Sequence, residues 1–345
     1  MKRLSLLLIA ILMVLVLNNM VFAENNQVYQ WKLQTATLLP TEETKITLPA
    51  YCDRVRERSN GRLDITLYSA GDLVPSVEIA DALRVGMIDM AYAWANYFVG
   101  IIPETNLDIG SIPPLIFESV EDVWMLYWLG GLDDIMRKGF ADYGIEYLGS
   151  LFDNTPIAFW SRYPMYSIED VKGFKIRYYG YHAKVFEKLG ATPVFLPHEE
   201  VYTSLSQGVI DGSATNAKNY KDQKLYEVAP YFYELPDFYS PNYGSFMVSK
   251  KSWDALPDDL KAIVKEEMFN LMIDNNYRSS LTYKRMLEDF DDLNVTTIRW
   301  SEEDAKKMRE ISISILPEIA AKSESTKEGI EIIMDYLRER GYLGE

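Results

Sequence analysis

Residues Phe174 to Asn216 alternate strand, helix, strand, helix, strand, and this alternation restricts the chain to an open α/β sheet. Phe174-Lys175-Ile176 is a short apolar-rich run ending in Arg177, and a helix follows between Gly180 and Gly190. The plan then repeats: strand Thr192 to Leu196, a break at Pro197, a helix from about Glu199 to Gln207, Gly208 at its end, and Val209-Ile210-Asp211 entering another strand. Ligands of such sheets sit beyond the carboxyl ends of the strands. Two of those ends carry Arg177 and the pair Thr215 and Asn216, one planar cation and two neutral hydrogen-bonding groups. That set suits a small anion. The alternative for Arg177 is a surface arginine paired with a nearby acid.

A second copy of the frame favours the first reading. Leu83, Gly86, Ile88 and Asp89 stand in register with Leu205, Gly208, Ile210 and Asp211. The same helix-to-strand join in two α/β halves predicts two lobes with a cleft between them.

The first residues read as a secretory signal. Lys2 and Arg3 precede an apolar run from Leu6 to Leu17, and Val21-Phe22-Ala23 supplies small residues for cleavage, so residues 1-23 are expected to be removed. The run is short for a membrane span and ends in Asn18 and Asn19, so stable membrane insertion of the mature chain is not expected. The one cysteine, Cys52, has no disulfide partner within the chain, and the fold must be held by its core. With 35 basic and 51 acidic side chains and a formal charge of −16, nucleic acid is excluded as a natural partner. A local cation can still bind an anion, because charges beyond about 8 Å are largely screened at physiological salt.

Along the chain, Gln30 to Thr35 and Arg62 to Tyr68 read as strands around a helix from Thr41 to Asn60. The helix Ser76 to Val85 feeds strand Ile88 to Ala93, after which Trp94 and Asn96 come where a cleft should open, with Tyr97 and Phe98 read as core. An aromatic helix spans about Ser119 to Gly139, interrupted at Gly130-Gly131, and strand Ile145 to Phe152 ends in a turn signal at Asp153-Asn154-Thr155-Pro156. Pro257 to about Leu293 is too long for one lobe and reads as a spine spanning both, with Asn275-Asn276 as the candidate kink. The expected division is lobe I from 24-150 plus about 242-275, and lobe II from 151-241 plus about 276-345. Aromatic walls for the cleft are expected from Trp94, Trp160, Tyr178 and Tyr239.

Together the segments Arg58-Ser59-Asn60-Gly61-Arg62-Leu63, Gly86 to Ala91, Val171 to Arg177, Gly208 to Gly212, Lys224 to Val228 and Lys250 to Pro257 resemble the dicarboxylate-binding (DctP-type) extracytoplasmic solute-binding proteins of tripartite ATP-independent periplasmic (TRAP) transporters. The resemblance implies a periplasmic clamshell with a hinge and a long spine helix, closing on an organic acid that is handed to membrane permease subunits. It implies that Arg177 grips the ligand carboxylate bidentately, which lysine's point charge could not do. It also implies a bonding group at Thr215 or its neighbour Asn216, and a contribution from the turn at Asn154. A second arginine after that turn, found in sialic-acid-type members, is absent here, and Ala214 and Thr215 stand where a metal-binding branch has a glutamate, so no metal or other cofactor is expected.

Enzyme chemistry finds little support. The two histidines, His182 and His198, lack metal-ligand spacing and read as surface or capping residues, and no nucleophile elbow, Cys-x-x-Cys pair or phosphate-cradling loop occurs. A secreted enzyme acting on small organic acids and a ligand-presenting sensor module are the alternatives to transport of a carboxylate or sulfonate.

Overall fold

The computed structural model describes residues 27-37, 41-178, 180-196, 200-233 and 241-343; the signal segment, His198 and Tyr239 lie outside them. Strands β1 (Tyr29–Thr35), β2 (Leu63–Tyr68) and β3 (Met90–Ala93) are mutually parallel in the order β2-β1-β3, joined through helices α1 (Leu48–Arg58) and α2 (Ile79–Val85). After helices α3 (Val120–Trp124) and α4 (Leu132–Asp142), strand β4 (Ile145–Ser161) runs antiparallel into the second half. There β5 (Lys175–Arg177), helix α5 (Gly180–Lys188), β6 (Thr192–Val194), helix α6 (Val201–Gln207) and β7 (Gly212–Asn216) repeat the first plan, with the parallel order β6-β5-β7.

Helix α7 (Ala217–Asp222) leads to β8 (Tyr231–Tyr233), and β9 (Pro241–Ser249) returns beside both β3 and β4. Helices α8 (Lys250–Ala255) and α9 (Asp258–Glu288) precede β10 (Thr296–Ile298), and the chain closes with α10 (Glu302–Ile313), α11 (Leu316–Ala320) and α12 (Glu324–Glu339). The amino half of β4 and β9 complete the first sheet, and the carboxyl half of β4 sits between β7 and β8 in the second. Thus β4 is the strand both sheets share. The fold is a two-lobed α/β clamshell.

The duplicated frame is exact in its hydrogen bonding. Helices α2 and α6 end at Gly86 and Gly208, with φ of 73° and 74°, the left-handed conformation that only glycine adopts without a Cβ penalty. Met87 N–H then donates to the Ala82 carbonyl and Val209 N–H to the Ser204 carbonyl, each at 2.9 Å. The Asp89 carboxylate accepts the main-chain N–H of Lys32 at 2.9 Å, and Asp211 accepts that of Lys175 at 2.9 Å. Two copies of one unit therefore present their strand ends to each other.

The spine is present as α9, one unbroken helix with no interruption at Asn275-Asn276. Its Leu260, Val264, Met268, Leu271 and Met272 pack in the first-lobe core, and Met286 packs with Phe290 in a second-lobe core. Two expectations need correction. The turn signal at residues 153-156 does not end a strand: β4 continues through a register shift between Asp153 and Pro156, and such an irregularity tolerates a residue without an N–H. The final segment does not belong wholly to lobe II. Helix α10 rests on α5, but Gly329 of α12 abuts Leu107, Tyr336 packs on Phe117, and Arg340 pairs with Asp122, all first-lobe residues. The tail bridges the lobes because its last helix is apolar on the face it turns to lobe I.

Candidate ligand-binding site

A cavity of about 870 Å³ lies between the lobes. The first lobe lines it with Pro75, Val77, Asn96, Asn106 and Ser111, and the second with Arg177, Tyr178, Tyr181, Phe195 and Leu196 among others. Arg177 is the one charged residue among the described residues that line it.

Position and orientation of Arg177 both follow from the sheet. It ends β5, flanked in register by Val194 of β6 and Ser213 of β7. The side chain is 2% exposed, its Nε donates to the Leu196 carbonyl at 3.2 Å and its Nη1 to the Ala214 carbonyl at 3.4 Å. Two main-chain carbonyls, one just past the end of β6 and one in the middle of β7, thus hold the plane of the guanidinium beside the cavity. The counterpart in the first lobe is Gln34, two residues after Lys32 as Arg177 is two after Lys175. Its Nε2 donates to the Val74 carbonyl at 2.7 Å and its Oε1 accepts the N–H groups of Leu73 and Val74 at 3.0 Å. The same strand position carries a loop-fixing amide in one lobe and a loop-fixing cation in the other.

The other expected contacts divide. Tyr178 lines the cavity and stacks on His182, ring centroids 4.7 Å apart and 8° from parallel. Asn96 lines it too; its N–H donates to the buried Asp108 carboxylate at 3.1 Å and its Nδ2 to the Gly110 carbonyl at 3.3 Å. Trp94 packs edge-on against Tyr97 at 5.6 Å and does not border the cavity, whereas Tyr97, read as core, does. Trp160 is fully buried against Tyr220 in the second-lobe core, because alternation along β4 turns it away from Phe159 and from the cleft side of the sheet. Thr215 and Asn216 are not among the lining residues. Asn216 Oδ1 instead accepts the Lys218 N–H at 2.9 Å and caps α7. The backbone of Asn154 lies in the β4 irregularity; its side chain, like Tyr239, is outside the described residues.

His182 is buried, not superficial. With Tyr181, Val185 and Phe186 it forms the inner face of α5, and burial pushes its imidazole down to about 3, so it is neutral at physiological pH. Nothing in the residue order singles out Asn106, Ser111 or Tyr181; Phe195 follows the end of β6, and strand ends are where a ligand is expected.

Among the described residues no three His, Cys, Asp or Glu side chains come together, and none of these types lines the cavity.

The model of bacterial extracellular solute-binding protein family 7 (DctP) matches residues 38–323. The chain is 28% identical over 291 residues to a monocarboxylate 2-oxoacid-binding periplasmic protein of Nostoc, covering 81% of this chain and 76% of that one. Among solved structures, a TRAP periplasmic solute-binding protein of Rhodobacter sphaeroides in its apo open form matches at a TM-score of 0.71 and 28% identity, covering 92% of this chain and all of that one. A Colwellia psychrerythraea TRAP protein with bound calcium and pyruvate matches at a TM-score of 0.81 and 25% identity, covering 92% and 96%. No helix among the described residues is long and apolar enough to cross a membrane. The family consists of solute-binding proteins, not enzymes, and this chain belongs to it.

Proposed function

We propose that this protein captures a small organic monoanion, a carboxylate or sulfonate, between its lobes in the periplasm and hands it to TRAP permease subunits. One observation carries the reading: a single buried arginine, oriented by two carbonyls, is the only charged group among the described cavity-lining residues. A guanidinium so held offers paired donors to a planar carboxylate at contact distance. Asn96, Asn106 and Ser111 supply neutral polar groups on the opposite lobe, so closure would bring them to the ligand's other end. The Nostoc relative is named for 2-oxoacids and the Colwellia protein holds pyruvate with calcium, which supports a carboxylate class. With Thr215 at the position where a metal-binding branch has a glutamate, and no acid among the described lining residues, the ligand is held here without a metal.

A thermal-shift screen of the mature protein against carboxylates, 2-oxoacids, sugar acids and sulfonates, with and without EDTA, tests this. A true ligand adds about 2.7 kcal/mol of stability at a hundredfold excess over its dissociation constant. A shift from monoanions that EDTA leaves unchanged is expected. A shift that vanishes in EDTA would overturn the metal-free reading, and shifts from cations alone would overturn the assignment of the site.

A further inference from the structure

The segment after β6 carries Phe195 between Val194 and Leu196, which both pack in the second-lobe core, so alternation along the chain turns Phe195 the other way, into the cavity. There its ring is 76% exposed. From the first lobe the cavity receives Val77 and Val99, exposed by 59% and 39%. Hydrogen bonds fix both sides. Arg177 holds the Leu196 carbonyl next to Phe195, and Gln34 holds the main chain of Leu73 and Val74, just before Val77. Isolated surface hydrophobics are ordinary, whereas large apolar side chains held in water on both walls of one cavity mark a ligand-binding groove.

The polar part of the lining is small and partly committed. Asn106 Nδ2 donates to the Pro103 carbonyl at 2.8 Å, Ser111 Oγ to the Thr105 carbonyl at 3.0 Å and Asn96 Nδ2 to the Gly110 carbonyl at 3.3 Å. A polyhydroxy acid must find a partner for every hydroxyl it buries, whereas a hydrocarbon body needs none. Rings supply much of the remaining wall, from Tyr97, Tyr178 and Tyr181 besides Phe195. We propose that the solute is an aromatic monocarboxylate, its carboxylate on Arg177 and its ring between Phe195 on one side and Val77 and Val99 on the other, and that Phe195 sets this preference. A ring also suits a cavity of about 870 Å³, which a short-chain acid would leave mostly to water. The inference rests on the cavity being an organic-anion site; it adds the class of anion and the residue that selects it.

Isothermal titration of the full mature protein with two matched pairs, 3-phenylpropanoate with propanoate and phenylpyruvate with pyruvate, and with gluconate, tests the proposal. Each phenyl acid should bind at least about thirtyfold more tightly than its ringless partner, since a single methylene in an apolar pocket is already worth about tenfold or more. Gluconate should bind more weakly than either phenyl acid. Phe195→Ala, at an exposed position, should keep the circular dichroism spectrum and cut the ratio within each pair at least about tenfold, and Phe195→Leu should restore part of it. A ratio near one in both pairs, tighter binding of gluconate, or a ratio unmoved by Phe195→Ala overturns the inference. Arg177→Ala in parallel separates the two claims. Ringless acids or gluconate binding best, and weakened in Arg177→Ala, would leave the anion site standing and remove the aromatic preference. No binding of any acid would overturn the reading of the cavity, and this inference with it.

Discussion

The carboxylate of Asp211 receives the main-chain N–H of Lys175 at 2.9 Å, at the start of the strand whose other end carries Arg177. Asp89 makes the same bond to Lys32 at 2.9 Å, and its other oxygen accepts the Ser252 hydroxyl at 2.6 Å. The acid of each Gly-x-Ile-Asp join is therefore a latch between neighbouring parallel strands. It serves the site only by holding in register the strand that delivers the arginine.

Replacing either acid with alanine leaves a strand N–H short of a partner. Each change should cost about 1–3 kcal/mol of stability, more for Asp89 because it also loses Ser252. The two joins belong to separate lobes, so the double variant should lose the sum of the two within about 0.5 kcal/mol. Urea titrations of the three variants check this, and a double variant no worse than either single one would contradict it.

Much of this was legible in residue order. The duplicated join, the strand before Arg177 and the two-lobe spine are set by local rules: glycine at a left-handed cap, apolar spacing, and length. What failed depended on partners distant in sequence. Pro156 reads as a terminator, but the pairing of β4 with β9 absorbs it in an irregularity. Trp160 reads as a cleft aromatic, but the strand's alternation commits it to the far face. His182 reads as polar surface because its type hides that it occupies an apolar position of α5. Asn216 looked like a ligand donor because capping asparagines and binding asparagines are the same residue type.

Acidity should act through His182. Its imidazole titrates at about 3 in the folded protein against an ordinary 6.5, so between those values the unfolded chain binds more protons. Stability is retained above about 6.5 and lost as pH falls through that window. His182→Phe keeps a flat ring against Tyr178, and its stability should fall less than wild type's between pH 7 and 4 in paired melting curves.

Asp133 has the opposite sign. Burial raises its carboxyl from 3.8 to about 7, opposed by Arg137, whose Nη2 lies 3.4 Å away. The folded state holds the extra proton, so stability declines as pH rises from about 4 to 7. Asp133→Asn should remove that decline; an unchanged slope between pH 5 and 8 would refute it.

The docking of the last helix on the first lobe rests on Gly329. A Cβ there would meet the buried Leu107 Cδ1 at 2.4 Å. Gly329→Val should destabilise the protein by about 1–3 kcal/mol through overpacking. Urea titration of the variant beside wild type checks this, and unchanged stability would contradict it.

Anion binding in this cavity stands or falls on Arg177. Isothermal titration of the best anion from the thermal-shift screen into wild type, Arg177→Lys and Arg177→Ala is the most direct measurement. A buried carboxylate deprived of its partner costs about 2–5 kcal/mol, so Arg177→Ala should bind at least about thirtyfold more weakly. Arg177→Lys should fall between the two, because it keeps the charge and loses the paired donors. Near-wild-type affinity in Arg177→Ala, with the fold intact by circular dichroism, would contradict the assignment of this cavity and of its arginine.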